Sequence, residues 1–217
     1  MQNRGDKKGG GYFITVEGSE GSGKTTCIQF IQQWLVDKKI DFITTREPGG
    51  TGLGEQLRDI LLDPNHKEKI DEMAELLIIF ASRRHHLSHV IKPALQQNKV
   101  VVCDRFTDST WAYLGGGRLM NPVWIGQLEQ MVQKHLRPDL TIFLDVPVTL
   151  GLQRAKKRST PDRFEQEDIV FFQRIREAYL KRAEEFKQQY KVIDASQSVE
   201  QIHHAVIALL SGKLNQE

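Results

Sequence analysis

Short apolar runs bounded by turn residues alternate along this chain with longer segments whose apolar positions recur every three or four residues. The runs suit strands buried on both faces and the longer segments suit helices laid over them, so the alternation describes a parallel sheet with helices on either side. The runs predict strands at Tyr12–Glu17, Asp41–Thr45, Val100–Cys103, Thr141–Asp145 and Lys191–Asp194. Ile28, Ile31, Trp34 and Leu35 predict a helix over Thr25–Lys38, and Ile169, Phe172, Ile175, Tyr179, Ala183 and Phe186 predict another over Asp168–Tyr190. A third, Asp71–Leu95, carries the stripe Met73, Leu77, Phe80, Leu87 and Ile91, with Arg84 in its middle and Arg83 beside it. The last helix opens at Ser198-Val199-Glu200-Gln201, a capping box that satisfies free amides of the first turn.

With 217 residues, 39% of them hydrophobic, the chain suffices for one sizeable core. The expectation is a single domain over residues 12–211, a loose polar leader at 1–11 and a short tail at 212–217. The leader lacks the apolar centre of a secretory signal, and the longest apolar stretch, around Leu76–Ala81, is far too short to span a bilayer. Lys and Arg number 30 against 28 Asp and Glu, so there is no basic field of the kind that nucleic-acid proteins carry. Two cysteines, Cys27 and Cys103, cannot build a disulfide framework, which suits a reducing cytoplasm.

The clearest chemistry lies at Gly18-Ser19-Glu20-Gly21-Ser22-Gly23-Lys24-Thr25, which fits G-x-x-x-x-G-K-[ST] directly after a predicted strand and before a predicted helix. Its glycines let the backbone wrap phosphates, the amides and helix N-terminus supply partial positive charge, Lys24 reaches the outer phosphates and Thr25 is the expected Mg²⁺ ligand. Such a loop serves switches, motors and kinases alike. A guanine-nucleotide switch would carry Asn-Lys-x-Asp, and that tetrapeptide is absent from the sequence.

Three further features sit where such a sheet binds ligands. The strand Val100–Cys103 runs into Asp104-Arg105-Phe106, a carboxylate and a guanidinium at its carboxyl edge; the alternative is a structural ion pair. The turn Arg46-Glu47-Pro48-Gly49-Gly50-Thr51 is rigid, bears opposite charges and could shape an acceptor pocket or be an ordinary connection with a solvated ion pair. An arginine centred on an apolar helix face favours ligand contact over snorkelling, which brings in Arg83 and Arg84. His85 and His89 lack the acid of H-E-x-x-H and read as surface histidines. The basic, turn-rich run Arg154, Lys156, Lys157, Arg158 and Arg163 offers mobile positive charge, as a lid over a transferring phosphoryl group would.

Together, Glu17 to Thr26, Thr45 to Thr51, Asp104-Arg105-Phe106, Tyr113 with Gly115-Gly116-Gly117-Arg118, and Arg137-Pro138-Asp139-Leu140 before Leu144-Asp145-Val146 closely resemble bacterial thymidylate kinase. The resemblance covers Tyr12 to about Leu210. It implies the α/β, three-layer P-loop nucleoside monophosphate kinase fold, a five-stranded parallel sheet flanked by helices with a lid over about 154–164. It further implies ATP and Mg²⁺ as cofactors, dTMP as substrate, dTDP as product and a homodimer with no nucleic-acid or membrane partner. Gly18, Ser19, Gly21, Ser22, Gly23, Lys24, Thr25 and Thr26 match the ATP-binding loop, and Glu20 its acidic position near sugar and metal. Arg105 matches an acceptor-phosphate arginine, Asp104 a residue near Mg²⁺ and Arg83 the arginine that reads the thymine edge. Phe80 or Ile79 occupies the base-stacking region, with Glu47, Thr110 and Tyr113 as further substrate contacts. Leu114 departs from the glutamine often found there. The loop has no arginine while the lid carries Arg154, Arg158 and Arg163, which resembles the class whose catalytic arginine comes from the lid, Arg158 first.

A phosphate monoester is mostly ionised at pH 7, so such an acceptor needs charge neutralisation from Lys24, Arg105 and Arg158 more than a general base. The alternatives are a deoxynucleoside kinase, for which Glu47 is the possible base, and a non-catalytic nucleotide switch.

Overall fold

The structure, a computed structural model, describes residues 10–64, 70–157 and 163–214. Strands β1 (Tyr12–Glu17), β2 (Phe42–Arg46), β3 (Val100–Asp104), β4 (Leu140–Asp145) and β5 (Tyr190–Asp194) form one parallel sheet in the order β2-β3-β1-β4-β5. The connecting helices are α1 (Lys24–Asp37), α2 (Gly52–Leu62), α3 (Glu72–His86), α4 (Lys92–Gln96), α5 (Thr107–Thr110), α6 (Pro122–Gln133), α7 (Val148–Lys156), α8 (Ile169–Glu185) and α9 (Val199–Leu214). Two π-helical segments, Leu87–Ile91 and Trp111–Gly117, join α3 to α4 and extend α5.

Alternation along the central strand separates two cores. Ile14 and Val16 face Cys27, Ile31, Trp34 and Leu35 of α1 and Val206 and Leu210 of α9. Phe13, with Val101 and Cys103, faces Leu76 and Phe80 of α3 and Ile125 of α6, while Phe143 meets Phe172, Ile175 and Tyr179 of α8. Burial on both faces accounts for the nearly continuous apolar runs of β1, β3 and β4. The connection from β1 runs past β3 to β2, whereas the connection from β3 crosses to β4 on the other side of β1, so a crevice opens beyond the carboxyl end of β1.

Each expected strand lies within one residue of its observed start and end. The capping box is present, with the Ser198 amide donating to Gln201 Oε1 at 3.1 Å and the Gln201 amide to Ser198 Oγ at 3.3 Å. Two expectations change. The helix foreseen to Tyr190 ends at Glu185, because Tyr190 is already the first residue of β5. In α3 the buried face is Leu76, Phe80, Arg83 and, one turn on, Leu87, spaced four, three and four; Leu77 is 50% exposed. Anchoring the stripe on Leu77 rotates the helix by one residue and misplaces the buried arginine, which is Arg83; Arg84 is exposed.

Candidate active site

Residues Gly18–Gly23 link β1 to α1 and curl over the carboxyl edge of the sheet. Gly21 has φ +67, and a Cβ there would lie 1.9 Å from the Gly151 carbonyl oxygen, so both conformation and space require glycine. Lys24 Nζ donates to the Gly18 and Ser19 carbonyls at 2.9 and 3.0 Å. Burial lowers its pKa to about 8, Arg105 adding to the effect while Asp104, Glu20 and Glu17 oppose it. Ser22 Oγ and Asp104 Oδ1 are buried without a hydrogen-bond partner among the described residues. Thr25 and Thr26 are exposed in the first turn of α1.

Across the crevice, Arg105 has φ +65, which turns the chain sharply at the end of β3. Its guanidinium donates to Glu20 Oε1 at 3.0 Å, to Ser109 Oγ at 3.3 Å and to Tyr179 OH at 3.4 Å, and lies 4.9 Å over the Tyr113 ring. Burial keeps the Tyr113 phenol well above its ordinary pKa, so it acts as a neutral donor to both oxygens of Glu20, at 2.7 and 2.6 Å. Arg58 of α2 donates to the Pro48 carbonyl at 3.0 Å; burial, with Arg46 and Arg105 close by, lowers its pKa. Lys24, Arg58, Asp104, Arg105, Tyr113 and Ile79 line a cleft of about 230 Å³. Arg58, Arg83, Arg105 and Lys24 share this space with the carboxylates of Glu20, Glu47 and Asp104.

At the inner end Arg83, 1% exposed, donates from Nε to Glu47 Oε2 at 2.6 Å, from Nη2 to Thr110 Oγ1 at 2.9 Å and the Phe106 carbonyl at 3.2 Å, and from Nη1 to Gln133 Oε1 at 3.4 Å. Its guanidinium lies over the Phe80 and Phe106 rings at 4.8 and 5.1 Å. His86 Nδ1 meets the other Glu47 oxygen at 2.9 Å, and its Nε2 lies 2.6 Å from Thr45 Oγ1. Gly50, φ +76, passes so close that a Cβ would lie 2.5 Å from His86 Nε2. The charges of this turn therefore do not pair with each other, since Arg46 reaches outward to Glu55 at 2.7 Å while Glu47 is drawn inward.

The structure thus brings Lys24, Glu20, Glu47, Arg83, Asp104, Arg105, Thr110 and Tyr113 to one cleft. It corrects Phe80, which packs in the core beneath Arg83; Ile79, the other residue expected in the base-stacking region, lines the cleft. Leu114 is fully buried in the same core. The lid arginines separate. Arg154 sits in α7, not in a turn, donates to the Ala195 carbonyl at 2.8 Å and lines a second cleft of about 300 Å³ with Gly21, Ser22, Gly23, Thr26 and Phe30. Arg163 is tied down, with Nη2 2.6 Å from Glu75 Oε2 and Nε donating to the Leu61 carbonyl at 2.8 Å. Arg158 lies outside the described residues. Sequence reasoning missed Arg58, His86, Glu17, Ser109 and Tyr179. For Arg58 the signal was a cation on the helix that follows the Arg-Glu-Pro turn.

A model of the family described as Thymidylate kinase matches residues 16–206. The chain belongs to the thymidylate kinase family. It is 50% identical over 204 residues to a thymidylate kinase of Ectopseudomonas mendocina, covering 94% of this chain and 97% of that protein. It is 47% identical over 200 residues to one from Nitrosomonas eutropha, covering 92% of each. The crystal structure of the Ehrlichia chaffeensis thymidylate kinase superposes with a TM-score of 0.76 at 33% identity, over 93% of this chain and 99% of that one. Among the described residues no helix is long and apolar enough to cross a membrane.

Proposed function

We infer that this chain transfers the γ-phosphoryl group of ATP to the phosphate of dTMP, giving ADP and dTDP. The observation that carries this reading is the cleft in which Arg58 and Arg105 converge opposite Lys24, with Arg83 at its inner end. Gly18–Thr26 hold the donor phosphates, and the second cleft beside Arg154 takes the rest of the donor nucleotide. Arg105 and Arg58 grip the acceptor phosphate. Ile79 gives the base an apolar wall, and Arg83, whose five N–H groups exceed the four hydrogen bonds it makes, has one on Nη1 left for the thymine edge. Both oxygens of Glu47 are engaged, so the general base that a nucleoside hydroxyl would require is not free. This favours a phosphate acceptor.

An ionised acceptor oxygen attacks the γ-phosphorus in line as the bond to the ADP oxygen breaks; Lys24 meets the charge that develops, together with Arg158 of the lid. Mg²⁺ fits the donor set, because Asp104 presents a buried oxygen without a hydrogen-bond partner among the described residues and Thr25 lies in the first turn of α1. Bound there, it would neutralise donor-phosphate charge. A homodimer is supported by an apolar stripe, Leu53 and Ile60 on α2, Leu77 on α3, and Val123, Trp124 and Met131 on α6, across helices that pack side by side. Cys27 and Cys103 are buried free thiols, in keeping with a reducing cytoplasm.

The test is ADP release with ATP, Mg²⁺ and a panel of nucleosides and nucleoside monophosphates. dTMP stimulates release and thymidine does not; no response to dTMP would sink the reading. Arg158→Ala lowers kcat far more than dTMP affinity, and equal losses would remove Arg158 from the catalytic role.

A further inference from the structure

We propose that Glu17 is a positioning residue for phosphoryl transfer, fixing the acceptor-side arginine, Arg105, to the strand that launches the donor-phosphate loop. The idea rests on Arg105 holding the acceptor phosphate. Glu17 is the last residue of β1 and is fully buried. It alternates with Phe13 and Thr15 toward α5 and α8, on the face away from α1. Three donors converge on it. The Phe106 amide donates to Oε1 at 2.7 Å, and Ser109 Oγ and Tyr179 OH donate to Oε2 at 2.6 and 3.0 Å.

Each donor also bears on Arg105. Phe106 follows it in the chain, where the left-handed backbone at Arg105 must be held from one side. Ser109 Oγ and Tyr179 OH both accept from Arg105 Nη1, at 3.3 and 3.4 Å. The carboxylate therefore fixes the guanidinium through the backbone and through two hydroxyls. From its other end the same residue runs into Gly18, whose carbonyl holds Lys24. One short segment thus sets the separation of the donor loop from the acceptor clamp, and in phosphoryl transfer that separation decides the rate.

The cost of the arrangement argues for its use. Burial, reinforced by Asp108 of α5, pushes the Glu17 pKa up to about 7 against the opposing pull of Ser109, Arg105 and the Phe106 amide. Lys24, Tyr179, Tyr190 of β5 and Cys103 of β3 complete the titratable surroundings. A carboxylate so desolvated weakens the fold near neutral pH, so its place is not explained by stability.

Glu17→Gln keeps the shape and removes the charge. The expected result is a loss of about tenfold or more in kcat/KM for dTMP, an ATP dissociation constant changed by less than about twofold, and an unfolding midpoint at pH 8 that is unchanged or higher. In an Arg105→Ala background the same change costs less than about twofold, since its target is gone. Tyr179→Phe, which removes one hydroxyl, loses about threefold or more in kcat/KM, and it tests the idea even if Glu17→Gln fails to fold. An equal penalty from Glu17→Gln with and without Arg105, or wild-type kinetics in both Glu17→Gln and Tyr179→Phe, overturns the positioning role and leaves the acceptor reading intact. Wild-type dTMP kinetics in Arg105→Ala overturn both.

Discussion

Replacing Arg83 by methionine removes a guanidinium from the most enclosed corner of the cleft while keeping most of the aliphatic volume. Arg83 is 1% and Glu47 3% exposed, and their 2.6 Å ion-pair contact is shorter than the 2.9 Å between His86 Nδ1 and the other Glu47 oxygen. Without Arg83 the carboxylate keeps, among the described residues, only His86, and the Thr110 hydroxyl and Phe106 carbonyl lose their shared donor. Removing one partner of a buried pair costs about 3–5 kcal/mol. For a chain of this size each kcal/mol moves the unfolding midpoint by about 2–4 °C, so Arg83→Met should melt about 6–20 °C lower. Glu47→Gln alone strands the buried guanidinium and is destabilising for the complementary reason. The combined variant leaves no buried charge unpaired, so it should be more stable than the sum of the single losses by about 2–3 kcal/mol. Calorimetric or urea unfolding of the four proteins measures this coupling. Additivity within about 0.5 kcal/mol would refute the claim that Glu47 and Arg83 form a mutually dependent pair.

Lys24 makes ATP binding a proton-uptake reaction. Its lowered pKa of about 8 means that the free protein holds roughly half a proton there at pH 8; bound phosphates raise the pKa and draw in the rest. Calorimetry in buffers of different ionisation heat should show uptake of about half a proton at pH 8, little at pH 6.5 and none attributable to this site in Lys24→Met; equal uptake by Lys24→Met would refute it. The same desolvation sets the sign for stability, since the unfolded state binds the extra proton between pH 8 and 10.5 and the Lys24 contribution therefore rises across that window. Gly21→Ala forces a Cβ to 1.9 Å from a backbone oxygen and should weaken binding of a fluorescent ADP analogue by about tenfold or more; undiminished binding would mean that Gly21 and Gly151 readily move apart.

What the sequence reveals of this site follows the distance over which its parts are assembled. The phosphate loop is local, eight consecutive residues between a strand and a helix, and reads directly. β1, β3 and β4 read well because burial on both faces leaves them nearly continuously apolar. Arg83 was legible only as one of two adjacent arginines, since choosing between them depends on the exact phase of α3, and Leu76, not Leu77, sets that phase. The partners of Glu17 were hidden for a different reason. They lie 89 and 162 residues away at Phe106 and Tyr179, and nothing in the local pattern marks a strand-end glutamate as a buried hub. For the turn at Glu47 the sequence leaves open an acceptor pocket or an ion pair within the turn, because Arg46 is adjacent, whereas the partner that claims Glu47 is 36 residues on.

These hidden contacts share a physical character. Away from the crevice the fold is held by apolar packing on two faces of one sheet, and such packing tolerates many substitutions. At the crevice the chain accepts a left-handed arginine, a desolvated lysine, a fully buried glutamate and a buried Arg–Glu–His cluster within a few residues of the strand ends. Each of these weakens the isolated fold or gains it little. They are mutually dependent, because Glu17 holds the turn that Arg105 strains, Arg105 braces Glu20 against Tyr113, and Arg83 ties Glu47 to Thr110 on the helix that follows Arg105. A network in which each costly group is satisfied only by the next has one arrangement rather than many. That single arrangement allows two negatively charged nucleotides to be held in register without either being bound by a flexible side chain alone.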